Sequence, residues 1–192
     1  MVFGKSFYII TRTANSGSGN ECRKWNQKNS RMDRQTTYRP GAIGAMTDEY
    51  ERALADLKRR IAGLSDEAFT AVRRHDVPVE FQSVRGIVAH VVSSGYAYAD
   101  YIRRRFGERE TSPAYSIHRP VDGEAALDAM FAYTVETFAG KWAMTDAELL
   151  HTLIKTSWSA YDLEALIEHA IVHVLRHRLQ IEKLLEYGGA GI

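Results

Sequence analysis

Residues 165–185 read ALIEHAIVHVLRHRLQIEKLL, a run in which His169, His173 and His177 recur at every fourth position. A helix advances about 100° per residue, so residues three and four apart share a face. On that wheel Leu163, Ile167, Ala170, Val174, Ile181 and Leu185 gather on one side, while Glu164, Glu168, Glu182 and Glu186 gather opposite. The stretch is an amphipathic helix with one buried face. His177 falls inside the apolar sector, His173 at its edge, and His169 leans towards the polar side. Positions eight apart are separated by about 12 Å of rise, too far for both to reach one ion at a Zn–N distance near 2.1 Å. This helix can therefore lend two ligands to one cation, and any further ligand must come from a facing helix. His173 with His177 is the inward pair; His169 with His173 is also permitted by geometry.

Working outward, four helical segments stand out, at about Thr47–Leu64, Ser83–Phe106, Gly123–Lys141 and Tyr161–Tyr187. Asp48 followed by Glu51 is a start signal for the first. Strands are scarce and no repeat of fixed period is visible, so an all-α fold, a four-helix bundle, is expected. Bundles build metal sites from side chains on facing helices. The second segment supplies one such side chain: His90 lies at the margin of a core face marked by Ile87, Val91, Tyr98 and Ile102, beside Ser94, Ala97 and Tyr101. Marginal histidines on two helices are where a bundle opens a pocket with apolar walls and a polar mouth. His75, His118 and His151 lack partners at helical spacing and are set aside.

The remaining composition excludes more than it assigns. Of 192 residues, 25 are Lys or Arg and 24 Asp or Glu, a net charge of +1, so no field drawing in nucleic acid or anionic lipid is expected. No apolar run reaches the ~18 residues needed to span a bilayer. Cys22 is the only cysteine, which rules out an intrachain disulfide and a cysteine cage, and a cytoplasmic location is expected. Residues 1–45 are polar over most of their length and lack periodicity from Thr11 onward, so they are read as a poorly structured N-terminal extension, with the domain proper at 46–192.

The run His173, His177, Arg178, Gln180, Ile181, the stretch SVRGIVAHV ending just after His90, and the approach TSWSAYDLEALIEHA resemble the DinB/YfiT-like family of metalloenzymes from Met46 to about Tyr187. The resemblance implies a four-helix bundle in up-down-down-up order with a long crossover between helices two and three. It also implies a divalent metal held by one histidine of helix two and two of helix four, here His90, His173 and His177. The family motif is written N-H-x-x-x-H-R-G-Q-I; this chain has Val172 for the Asn and Leu179 for the Gly, and keeps both histidines. Relatives include thiol-dependent transferases and isomerases, so the resemblance implies a metal-dependent enzyme acting on a small molecule with a low-molecular-weight thiol, and a homodimer. The alternatives are a metal-dependent hydrolase and a non-catalytic, stress-related metal-binding dimer. Imidazole ligands suit zinc, nickel or iron alike.

Other side chains receive lesser roles. Tyr96, Tyr98 and Tyr101 are expected to pack, with only Tyr101 turned towards His90; Trp142 and Trp158 are expected to anchor the core, with the pocket wall as the alternative place for Trp158. Gln180 shares the face of His177, and His169 is expected to be exposed or close behind the ligands. Lys58–Arg60 and Arg103–Arg105 read as solvated helix ends. No carboxylate is a clear general base; Asp100 is turned away from His90, and no catalytic residue is assigned.

Overall fold

The computed structural model describes residues 38–187, and four main helices account for more than half of these. These are α1 (Gly41–Ile61), α3 (Val84–Arg105), α4 (Pro120–Thr137) and α6 (Leu163–Tyr187). Shorter elements, none expected from the sequence, fill the connections: α2 (Asp66–Thr70), a 3-10 turn (Val79–Phe81), α5 (Asp146–His151), and a hairpin of β1 (Ile154–Lys155) and β2 (Ala160–Tyr161). The fold is all-α apart from that two-residue ladder, in which Ile154 pairs with Tyr161.

Helix starts follow local chemistry. Ser83 accepts a hydrogen bond from the Gly86 amide and opens α3; Asp162 accepts from the Ala165 amide at 2.7 Å and opens α6. Pro120 takes the first position of α4, where its missing N–H costs nothing, and the Asp122 carboxylate accepts from the backbone of His118 and Arg119. Two expectations need correcting here. The first helix begins at Gly41, ahead of the expected Thr47. Asp48 is therefore an interior, nearly buried residue instead of a cap: it accepts from the Arg39 amide at 3.1 Å and pairs with its guanidinium at 2.5 Å, pinning the chain before the helix. Residues 1–37 of the expected extension lie outside the described residues.

The buried faces close on one core, with Ile43, Leu57 and Ile61 of α1, Ile87 and Val88 of α3, Leu127 and Met130 of α4, and Leu163, Leu166 and Ile181 of α6 all sealed from solvent. Each contributes about 1.5–3 kcal/mol through removal of apolar surface from water. Contacts along the helices give their senses. Val88 lies at Gly123, Gly95 at Met130 and Arg103 at Thr137, so α3 and α4 run the same way. A Cβ at Gly95 would come within 2.4 Å of the Met130 sulfur, which is why glycine stands at that crossing. Tyr50 meets Phe131 and Lys58 pairs with Asp128, so α1 opposes α4. His90 meets His177 and Tyr98 meets His169, so α3 opposes α6. Residues 106–119, joining two parallel helices, consequently travel back along the bundle, with Tyr115 donating to the Ala89 carbonyl on the way.

Two more expectations change. Arg103 is buried: its Nε donates to Thr137 Oγ1 at 2.7 Å and its guanidinium lies 4.0 Å from the centre of the Tyr133 ring. Trp142 packs at the core's margin against Phe138, but Trp158 is 51% exposed and anchors no core. Among the described residues no helix is long and apolar enough to cross a membrane.

Candidate metal centre

Two opposed helices and one short turn bring the site together. His90 comes from the second turn of α3, and His173 and His177 come from consecutive turns of α6. Their side chains meet tip to tip: Nε2 of His173 lies 3.2 Å from Nε2 of His90 and 3.1 Å from Nε2 of His177. One ligand nitrogen from each lies within 4.8 Å of the others. Ligands at the usual Zn–N distance of 2.0–2.1 Å in a tetrahedron stand about 3.3 Å apart, close to the observed spacing.

Proton bookkeeping shows why these contacts are unusual. Gln180 sits one turn beyond His177, and its Oε1 accepts from His177 Nδ1 at 2.9 Å, which leaves the His177 Nε2 lone pair facing the other rings. Burial lowers the affinity of all three rings for protons. The His173 value falls to about 3, by burial first and then by repulsion from His177, His90, His169 and Arg176. That of His177 falls to about 4, again chiefly through burial. His90 is lowered by burial, with Glu80 opposing the shift. At neutral pH the rings are therefore uncharged, and with His177 Nε2 unprotonated only one of the two Nε2 contacts can be a hydrogen bond at a time. The other contact is left without a hydrogen bond. A cation at the shared focus removes that conflict, so the residues fit a divalent metal.

The 3-10 turn holds the rings from outside the two helices. Phe81 stacks on His177 with ring centres 5.6 Å apart and meets His90 edge-on at 5.0 Å. Gly86 makes this possible, because a Cβ there would lie 2.6 Å from the Glu80 carbonyl oxygen. On the other side Tyr98, buried and with its phenol pushed up to about 12 by that burial, presents its ring edge-on to His173 and His169. A cavity of about 420 Å³ opens onto the three nitrogens, with Ser93, Ser94, Ala97, Trp158, His169 and Arg176 completing its wall.

His90, His173 and His177 are thus brought together; His169 lines the cavity with its ring centre 6.2 Å from that of His173, outside the converging group. Tyr101 is not directed at His90. Its hydroxyl donates to Ser157 Oγ at 3.1 Å, and Tyr98 is the phenol beside the histidines. Asp100 is engaged elsewhere, accepting from the Tyr133 hydroxyl at 2.6 Å. Trp158 lines the cavity, the place the sequence offered it besides the core, whereas Phe81 and Arg176 were missed as site residues. Arg176 was accessible to spacing, three residues after His173; Phe81 stands in an aperiodic connection that gives no such signal.

A family model described as the DinB superfamily matches residues 26–181 of the chain. No curated protein matches it.

Proposed function

Since the chain belongs to the DinB superfamily, we propose that it is a metal-dependent enzyme in which His90, His173 and His177 hold one divalent ion beside a small-molecule pocket. The observation that carries this reading is the convergence of three neutral imidazole nitrogens at 3.1 and 3.2 Å, of which only one contact at a time can be a hydrogen bond. Three protein ligands with a cavity on the remaining side are the arrangement of a catalytic site; structural sites are closed by four. An ion bound there supplies a Lewis acid, lowering the pKa of a thiol or water that enters the free position.

The chain's own residues do the rest. Gln180 holds His177 in the tautomer whose Nε2 can ligate, and Phe81 fixes the ring planes. Tyr98 and Trp158 supply apolar wall to the pocket. No carboxylate lines the cavity among the described residues. That favours a thiol nucleophile, which needs only to be deprotonated, over hydrolysis assisted by a general base. The reaction class we infer is S-transfer or isomerisation using a low-molecular-weight thiol. The homodimer belongs to the same reading, and the exposed Val172, Leu175 and Leu179 on the outer face of α6 give it an apolar surface.

Elemental analysis of protein purified without affinity metal tests the core of this. About one equivalent of metal is expected in the wild type and almost none in His90→Ala and His177→Ala. Stoichiometric metal retained in both variants would refute the ligand set. Incubation of loaded protein with a thiol and an electrophile then tests the chemistry; turnover that persists without thiol points to the hydrolase instead.

A further inference from the structure

The charge of the pocket wall carries information about what the pocket takes. Its titratable side chains are four histidines, Tyr98 and Arg176; no aspartate or glutamate is among the lining residues described. Three uncharged imidazoles do not neutralise a divalent ion, and the Arg176 guanidinium adds a further positive charge. Arg176 is exposed, and no acidic side chain pairs with it among the described residues, whereas Arg178, the other arginine near the ligands on α6, pairs with Glu182 at 3.2 Å. Arg176 stands three residues after His173 and directly before His177, so its side chain projects from the same stretch of helix as two of the ring nitrogens. A low-dielectric wall of Phe81, Tyr98 and Trp158 strengthens the field of both cations on anything placed between them.

Resting on the metal reading above, we propose that the pocket selects small molecules carrying a carboxylate in addition to the group that ligates the metal, and that Arg176 is the residue that reads the carboxylate. The guanidinium presents paired N–H donors whose spacing matches the two oxygens of a carboxylate. A cavity of about 420 Å³ accommodates a metal-ligating head, a short linker and the acid group. A neutral analogue of the same length loses the contact with Arg176 and keeps the one at the metal. Arg176 is thus a specificity residue with no part in holding the ion.

The test compares 3-mercaptopropionate with 3-mercaptopropanol, two thiols of equal chain length that differ in the acid group, on cobalt-loaded protein. Cobalt stoichiometry, measured first, separates this inference from its premise: if the wild type takes up no cobalt, the metal reading fails and the inference with it. With one equivalent bound, the visible absorption of the cobalt reports thiol binding without any turnover. The wild type is expected to bind the mercapto acid about tenfold or more tightly than the alcohol. Arg176→Gln should bring that ratio close to one while leaving cobalt stoichiometry and affinity for the alcohol unchanged. Arg176→Lys should keep part of the preference, and Arg109→Gln, remote from the pocket wall, should keep all of it. Equal binding of the two thiols by the wild type, or a preference that survives Arg176→Gln, would overturn the assignment.

Discussion

Two polar clusters lie within this bundle, and they are finished to different degrees. At one end of α3 and α4, Arg103 donates to Thr137 and to the Tyr133 carbonyl, and Lys141 donates to the Thr137 carbonyl at 2.8 Å and pairs with Glu108. The Tyr133 hydroxyl donates to Asp100 and accepts from the Thr111 amide at 2.9 Å. Each buried charge there meets a partner inside the protein. At the start of α3 and the middle of α6, three ring nitrogens face one another with a proton too few. A closed network of satisfied groups is structure; a converging set of lone pairs awaits something from outside.

That contrast can be broken most directly at the ligands. His173→Ala should lower metal affinity by more than ~100-fold, exceeding the 10–100-fold typical of outlying partners, with helical circular dichroism retained. Metal binding followed by calorimetry checks it, and an unchanged affinity would put the two clusters on the same footing. In the closed cluster the expected result is reversed: Arg103→Met should destabilise the fold by about 2 kcal/mol, since it leaves the buried Thr137 Oγ1 without its donor, while metal stoichiometry stays at the wild-type value. Urea unfolding alongside elemental analysis reads both.

Smaller effects sharpen the comparison. Gln180→Leu removes the acceptor of His177 Nδ1 and should weaken metal binding by about tenfold, with Gln180→Glu restoring it. The smallest effect is on pH. In metal-free protein the folded His173 and His177 stay neutral down to about 3 and about 4, whereas the unfolded rings take up protons near 6.5. Between those values the unfolded chain binds more protons, so the stability tied to these rings is complete above ~6.5 and is lost as pH falls towards the folded values. Unfolding midpoints in chelator at about pH 7.5 and about pH 5 should therefore differ more for wild type than for His173→Phe.

The histidine ligand candidates were legible in the sequence because they ride on long helices, where a position fixes a direction. The spacing of His173 and His177 placed one at the edge of the apolar face of α6 and the other within it, and His90 held a marginal place on α3. What surrounds them was less legible. Phe81 acts through a three-residue turn whose approach depends on Gly86, a tertiary fact with no periodic trace. Tyr98 and Tyr101 differ by less than one helical turn, and the wheel alone could not say that Tyr101 would be held by Ser157 from the hairpin loop. Arg103 looked solvated because a basic residue closing a helix usually is. The crossover folding back over α3 and α4, together with Thr137 and Tyr133, made it internal. The first helix began early because Arg39 and Asp48 join residues nine apart, beyond the range of a local capping signal.

His90 and His173 lie 83 positions apart along the chain. An ion clasping both would turn the crossover, α4, α5 and the hairpin into a closed ring, and a chain so tied has far fewer ways to come apart. Resistance to heat or proteases would then follow metal supply, making the protein's persistence a gauge of whether it is charged for work.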